Sequence, residues 1–182
     1  MTVVTVLPRD HPWTVDDLAD LPDDGLRYEL VDGTLLVSAA PSKLHQRAVG
    51  NLHVLLREAC PPDLEVFLAP TDYQPTRTRS LQPDLLVVSR DDPGDGPVTT
   101  PLALAVEVLS PSSRSIDRLL KRELYEQAGV AQYWLVDPDE PSVTVWSRTG
   151  EQWGAPAVVV GDDRLPLDGP LRLVLHPADL VR

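Results

Sequence analysis

Two apolar runs, each carrying one carboxylate, constrain this chain more than any other part of it. The first is Leu85–Val88, which Asp84 directly precedes, and the second is Leu102–Leu109, which holds Glu107. Short continuous apolar runs of this kind predict buried strands of one sheet. An ionised carboxylate inside such a strand is costly unless a cation or hydrogen-bond donors meet it. Two carboxylates on neighbouring strands that share a divalent ion would remove that cost.

The residues after the second run predict a helix from about 114 to 128. A 3.6-residue period gives this helix two sides. The side expected to be buried holds Ile116, Leu119, Leu120 and Leu124. The opposite side is expected to hold Arg114, Arg118, Arg122 and Tyr125. Lys121 falls at the border, where a long side chain can extend its amine into a neighbouring site. The alternative is an ordinary surface pair between Lys121 and Asp117, four residues before it.

Residues 27–31 and 34–38 predict a hairpin about Asp32-Gly33, a dipeptide typical of a type I′ turn. In a two-residue hairpin Glu29 pairs with Leu36, which is an unusual neighbour for a solvated acid. Two interpretations of Glu29 stay open at this point. It is either an exposed glutamate of a strand or a third acidic member of a site.

A further helix is predicted over residues 42–59, before a Pro-Pro pair. His45 lies near its start, on the same stripe as three apolar residues, so its ring is expected to point inward. Either it is a buried, hydrogen-bonded structural histidine, or it faces a site and contacts water or phosphate. The basic segment Thr76–Ser80 leaves a similar choice between a solvated turn and a phosphate contact.

Additional strands are predicted at 64–68, 72–75, 133–136, 143–146, within 150–160 and at 171–175. The strand at 133–136 is expected to run parallel to the Glu107 strand, because a helix connects the two. The fold class expected is α/β (α+β), with a mixed β-sheet flanked by helices, an N-terminal hairpin and a C-terminal β extension. At 182 residues a single domain over 1–182 is expected.

Composition limits the possible functions. A net charge of −12 argues against a generic nucleic-acid binder, which is normally basic. A single cysteine, Cys60, excludes an internal disulfide and suits a cytoplasmic location. No apolar stretch approaches the length of a membrane span, so no membrane partner is expected. Zinc and serine-hydrolase chemistry are not expected either, because neither spaced Cys and His ligands nor a Gly-x-Ser-x-Gly motif is present.

An ordered set of motifs resembles the Uma2 family, which belongs to the PD-(D/E)XK nuclease superfamily. The matching motifs are Tyr28–Gly33, His45–Arg47, Gln82–Asp84, Glu107–Ser112, Asp117 with Lys121, and Tyr133–Pro138. They fall within roughly residues 14 to 148. The chain departs from the superfamily pattern two residues after Glu107, where Leu109 stands in place of lysine. The Uma2 pattern places its lysine on the following helix, and Lys121 fits that position.

The resemblance implies a restriction-endonuclease-like core and a phosphodiester hydrolase that uses Mg²⁺ or Mn²⁺. The residues implied for catalysis are Asp84, Glu107, Lys121, Glu29 and His45, and those implied for the metal are Asp84, Glu107 and the backbone carbonyl at Val108. It also implies nucleic acid, DNA in the first place, as the partner and a homodimer as the assembly.

Two other functions stay open. A nuclease-like binding or interaction protein with little turnover is favoured by the displaced lysine and the acidic charge. The presence of every expected polar residue argues against it. A metal hydrolase that acts on a small phosphodiester is the third possibility.

Overall fold

The structure, a computed structural model, describes residues 5–7, 10–38, 40–92, 94–110 and 116–182, without the side chains of residues 5 and 116–118. The strands within these ranges are β1 Thr5–Leu7, β2 Arg27–Val31, β3 Thr34–Ser38, β4 Leu64–Leu68, β5 Tyr73–Thr76, β6 Arg79–Leu81, β7 Leu85–Ser89, β8 Leu104–Val108, β9 Gln132–Asp137, β10 Ser142–Thr149, β11 Gln152–Trp153, β12 Ala157–Val160, β13 Leu165–Asp168 and β14 Arg172–Leu175. The helices are α1 Lys43–Ala59 and α2 Arg122–Gln127, two 3₁₀ helices, Val15–Asp20 and Pro177–Leu180, and a π-helix, Ile116–Lys121. None of the described helices has the length and apolar character needed to cross a membrane.

The central sheet is mixed, as the sequence predicts. Its strands run in the order β11-β10-β9-β8-β7-β4, with β12 paired to β10. β8 and β9 are parallel, whereas β7 pairs antiparallel with both β8 and β4. A second sheet has the order β1-β3-β2-β6-β5, and β13 pairs with β14 as part of the C-terminal β extension. The sequence did not predict β6 or β13 as strands.

The N-terminal hairpin has the predicted register. β2 and β3 pair with Glu29 opposite Leu36 and Val31 opposite Thr34. Both turn residues have positive φ, 46° at Asp32 and 79° at Gly33, which is the geometry of a type I′ turn. This turn matches the right-handed twist of the strands and thereby fixes which side chains of β2 face the central sheet.

Helix α1 begins at a side-chain cap. The Ser42 hydroxyl accepts a hydrogen bond of 3.2 Å from the backbone N–H of His45, which satisfies one of the free N–H groups of the first turn. The predicted inward stripe is confirmed, because His45, Val49, Leu52 and Leu56 are all buried. The cap and the stripe together place the imidazole at the N-terminal end of the helix, against the central sheet.

The predicted faces of the helix at 114–128 are wrong in part. Leu119 is 70% exposed and Leu120 is exposed as well, whereas Tyr125 is fully buried. The reason is the π-helix that precedes α2: its wider i→i+5 turns place side chains at angles that a 3.6-residue period does not describe. Lys121, the last residue of the π-helix, is turned inward and is only 3% exposed.

Two apolar clusters cover the two faces of the central sheet. Helix α1 and the C-terminal residues pack on one face, against Leu85, Val106 and Trp134. The hairpin and α2 pack on the other face, against Leu86, Ala105 and Tyr133. Alternation along β8 therefore points Glu107, two residues after Ala105, toward the hairpin and α2.

Candidate active site

Asp84 and Glu107 lie opposite each other on neighbouring strands. β7 and β8 pair with Leu85 opposite Val106, so one further step along this register places Asp84 opposite Glu107. Directly opposed residues of an antiparallel pair share a face, with Cβ atoms about 4.5–5.5 Å apart. Both side chains are buried. The fold thus brings the two acidic residues of the predicted site together.

Each carboxylate oxygen of Asp84 has its own donors. Arg27 donates to Oδ1 from both Nη1 and Nη2, at 3.1 Å each. Oδ2 accepts from the backbone N–H of Val108 at 2.8 Å and lies 3.1 Å from Nε2 of His45. Burial by itself would raise the pKa of Asp84, but His45, the Arg27 charge and the Val108 N–H hold that pKa below its ordinary value of 3.8. Asp84 is therefore held as a carboxylate.

Glu107 receives two hydrogen bonds on one oxygen. The Lys121 ammonium lies 3.0 Å from Oε1, and the Tyr125 hydroxyl donates to the same atom at 2.7 Å. Burial, reinforced by the charges of Glu107 and Glu29, raises the pKa of Tyr125 well above its ordinary value. The phenol accordingly stays protonated and serves as a permanent donor to Glu107.

Glu29 and Glu107 share the Lys121 ammonium. Nζ of Lys121 lies 2.8 Å from Oε1 of Glu29, which also accepts the backbone N–H of Gln82 at 2.9 Å. Glu29 is buried, so its interpretation as an exposed glutamate of a strand is wrong. The burial of Lys121 likewise contradicts a pair on the solvent face of a helix. The side chain of Asp117, the partner considered for that pair, lies outside the described residues.

His45 faces the site through one ring nitrogen. Its Nε2 contacts Asp84, and within the part of the chain that the structure describes its buried Nδ1 finds no hydrogen-bond partner. The interpretation of His45 as a buried, hydrogen-bonded residue is confirmed, whereas its contact with water or phosphate stays a prediction. The ring is a buried hydrogen-bonded group, and its partner is the aspartate of the predicted site.

Sequence reasoning missed Arg27 and misplaced Tyr125. Arg27 lies two residues before Glu29 on β2, so the period of two that placed Glu29 toward the core places Arg27 on the same face. That alternation was the available signal. For Tyr125 the signal was misleading, because the expected helical period did not allow for the π-helix.

The arginines of the basic segment before β7 are engaged within the protein. Arg77 pairs with Asp16, and Arg79 donates to Asp32 at 2.5 Å and to Gln127 at 2.7 Å. These contacts tie the segment to the 3₁₀ helix, the hairpin turn and α2. Arg79 is mostly buried by its contacts, whereas the Arg77 side chain is 74% exposed, as expected for a solvated turn.

The donor set at Asp84 and Glu107 fits a hard divalent cation. Mg²⁺ is held in proteins by one or two carboxylates together with waters and substrate oxygens, and the two opposed carboxylates supply that minimum. Among the residues that the structure describes, no group of three or more His, Cys, Asp or Glu side chains is arranged to hold a metal. A cation here would depend on the two acids, the backbone and water.

An open cleft of about 540 Å³ leads to this cluster, with Arg27, His45, Gln82 and Asp84 among its lining residues. A larger cleft of about 630 Å³ is lined by β4 residues and by the loop after β7, and it contains none of the predicted site residues. Of these two clefts, the smaller one reaches Asp84; Glu29, Glu107 and Lys121 are not among its lining residues.

Comparisons with known proteins identify the fold and the family of this chain. A crystal structure of a putative nuclease belonging to DUF820 from Anabaena variabilis ATCC 29413 superposes with a TM-score of 0.72 at 20% sequence identity, covering 93% of this chain and 98% of that one. This likeness confirms the expected fold class. A search among curated proteins finds no match. The family model for Uma2, described as a putative restriction endonuclease, matches residues 15–176. The chain therefore belongs to the Uma2 family of putative restriction endonucleases.

Proposed function

We propose that the protein is a divalent-metal-dependent endonuclease that hydrolyses phosphodiester bonds in DNA. The observation that carries this proposal is the buried Lys121 ammonium, shared by Glu29 and Glu107 on the face where Asp84 lies opposite Glu107. A buried lysine that contacts Glu107, one member of the opposed acidic pair, is suited to stabilise charge on a phosphate. Family membership supports the same reaction class.

Asp84 and Glu107, with the backbone carbonyl of Val108, would hold Mg²⁺ or Mn²⁺. Such an ion stabilises negative charge on the phosphate and makes water a better nucleophile near neutral pH. The N–H of Val108 and Nε2 of His45 hold Oδ2 of Asp84 in a fixed direction. This leaves Oδ1 as the oxygen best placed to bind the ion.

Lys121 acts on the substrate side in this proposal. An ammonium has no lone pair, so Lys121 does not bind the metal. In this charged form it orients the attacking water or stabilises the charge that develops on the phosphate; it deprotonates that water only after releasing its own proton. Glu29 holds the lysine in place. His45 acts in this proposal through Nε2, which contacts Oδ2 of Asp84. The proposal also includes a homodimer, which the family resemblance implies, and a cytoplasmic location, which the single cysteine suits.

A cleavage assay on supercoiled plasmid and on single-stranded DNA, with Mg²⁺, Mn²⁺ or EDTA, tests the proposal. We expect nicking only with a divalent ion. Lys121→Ala should still bind Mn²⁺ in calorimetry yet cleave about 10²-fold or more slowly. Glu107→Ala should lose metal binding and cleavage together. Arg90→Ala is the control, since Arg90 pairs with Glu65 in the other cleft, away from Asp84.

Cleavage in EDTA would contradict the metal requirement, and a wild-type rate in Lys121→Ala would contradict the role of the lysine. A wild-type protein that binds DNA and never cuts it would support the nuclease-like binding protein instead. The engagement of both Asp84 oxygens by protein donors favours that second candidate.

A further inference from the structure

Arg27 occupies the oxygen of Asp84 that a cation would use. Its Nη1 and Nη2 both donate to Oδ1, and Nη1 also donates to the backbone carbonyl of Gln82 at 3.3 Å. The other oxygen, Oδ2, is held by the Val108 backbone and by His45. The two oxygens thus differ: Oδ2 is held by the backbone and by His45, whereas Oδ1 accepts hydrogen bonds from the long side chain of Arg27.

The Arg27 guanidinium reaches the cleft. It lines the 540 Å³ space beside Asp84, and its side chain is 24% exposed against 3% for Asp84. Burial by itself would lower the pKa of Arg27, but the carboxylates of Asp84, Glu29 and Glu107 raise it above its ordinary value. The group is therefore a permanent cation at the entrance to a buried acid.

Arg27 supplies one of the positive charges that balance the carboxylates of the cluster. Apart from His45, the described residues of the cluster include three carboxylates, at Glu29, Asp84 and Glu107, and two cations, Arg27 and Lys121. The net charge of these five side chains is one negative. A divalent ion would make it one positive, and a phosphodiester, which carries one negative charge, would then neutralise it. This balance requires Arg27 to stay in the site after the ion has bound.

We propose that Arg27 fills the place of the divalent ion on Oδ1 of Asp84 in the metal-free protein and binds the phosphate of the nucleic acid once the ion displaces it. This inference rests on the proposed function. A guanidinium and a metal ion compete for the same oxygen, whereas the planar fork of arginine suits phosphate oxygens equally well. Binding of the ion thereby creates the phosphate contact.

Two measurements on Arg27→Ala and Arg27→Gln test this role. MnCl₂ is titrated into each metal-free protein by calorimetry. The affinity of a phosphorothioate-linked duplex, which resists hydrolysis, is measured by fluorescence anisotropy in EDTA and in Mn²⁺. We expect Mn²⁺ to bind both variants at least fivefold more tightly than wild type. We expect the gain in DNA affinity that Mn²⁺ brings to be at least tenfold smaller in the variants.

Arg90→Ala serves as the control for the loss of one arginine charge, and Arg27→Gln keeps an N–H donor for Asp84 if the alanine variant does not fold. A folded variant with unchanged or weaker Mn²⁺ binding, or with the full Mn²⁺-dependent gain in DNA affinity, would overturn the role of Arg27. The proposed metal-dependent function would not be affected by that result. If the wild type itself binds no Mn²⁺, the metal-dependent function fails and the role of Arg27 falls with it.

Discussion

At the scale of single residues, the direction of the Glu107 carboxylate depends on aromatic side chains behind it. Tyr125, which donates to Glu107, packs between Tyr73 and Tyr133, with ring centroids at 6.4 and 5.3 Å. The Tyr73 hydroxyl in turn donates to the backbone carbonyl of Ala128 at 3.3 Å, just after α2. Rings packed in this way have few alternative rotamers, so the donor to Glu107 is held before any ligand arrives.

The buried Tyr73 predicts a loss of stability at alkaline pH. Burial raises its pKa from 10.0 to about 12. Above pH 10 the unfolded chain releases this proton and the folded protein retains it, so the unfolded state is favoured as pH rises from 10 to 12. We expect the wild type to lose about 1.4 kcal/mol relative to Tyr73→Phe between pH 9 and pH 11. Urea unfolding of both proteins at the two pH values measures this change.

Tyr73→Phe keeps every other tyrosine, so their ionisation cancels in the comparison. At pH 9 the wild type should be the more stable protein by about 1 kcal/mol, because the variant lacks the hydrogen bond to Ala128. A gap between the two proteins that stays constant from pH 9 to pH 11 would show that the Tyr73 phenol does not titrate as its burial requires.

At the scale of elements, the hairpin carries two charged groups of the site. Arg27 and Glu29 lie two residues apart on β2 and so face the central sheet together. The turn is tied to its surroundings, since Trp13 N–H donates to Gly33 and Gly33 N–H donates to Thr78, at 2.8 and 3.0 Å. The position of both charged groups therefore depends on a turn at the other end of the strand.

Gly33→Ala should destabilise the protein through this turn. Gly33 has a φ of 79°, and a Cβ there would lie 2.7 Å from Cβ of Pro12. Gly25 is a matched control, because its φ is 76° and a Cβ there meets nothing within 4 Å. We expect Gly25→Ala to cost about 1–2 kcal/mol for the left-handed backbone. Gly33→Ala should cost about 1–3 kcal/mol more for the close contact.

Urea unfolding of the two variants beside the wild type measures both costs. Because the backbone strain is common to both glycines, the difference between the variants isolates the contact with Pro12. Equal costs would mean that the segment before the hairpin yields to the added methyl group and does not brace the turn.

The sequence predicted the elements whose geometry is local and missed those decided by distant contacts. The Asp32-Gly33 turn fixes the hairpin register, so the position of Glu29 opposite Leu36 could be derived. The partner of Arg27 lies 57 residues away in the sequence, and no local pattern indicates it. Tyr125 was misplaced because no propensity rule predicts that a helix will begin as a π-helix. β6 was missed because its short polar sequence becomes a strand only through pairing with β2 and β5.

At the scale of the whole molecule, the site and the surface carry the same sign of charge. The chain has 28 acidic and 16 basic residues, and the five charged side chains described at the metal-free cluster sum to one negative charge. Any salt therefore weakens the repulsion between the acidic side chains, because charges more than about 10 Å apart are largely screened at 0.1 M ionic strength. A divalent ion that binds Asp84 and Glu107 would act in addition to this general effect. The two contributions can be separated by experiment.

Mn²⁺ should stabilise the fold more than NaCl does at the same ionic strength. Binding to the native state alone adds about 2.7 kcal/mol when the free ion is at a hundred times its dissociation constant. Thermal melts in Mn²⁺ and in matched NaCl measure the excess. Glu107→Gln should lose the excess, because its neutral amide is a poor replacement for a carboxylate ligand. Glu65→Gln, which removes a half-buried carboxylate paired with Arg90, should keep it. Equal shifts in the two salts, or an undiminished excess in Glu107→Gln, would mean that the ion acts on the acidic surface and does not bind between β7 and β8.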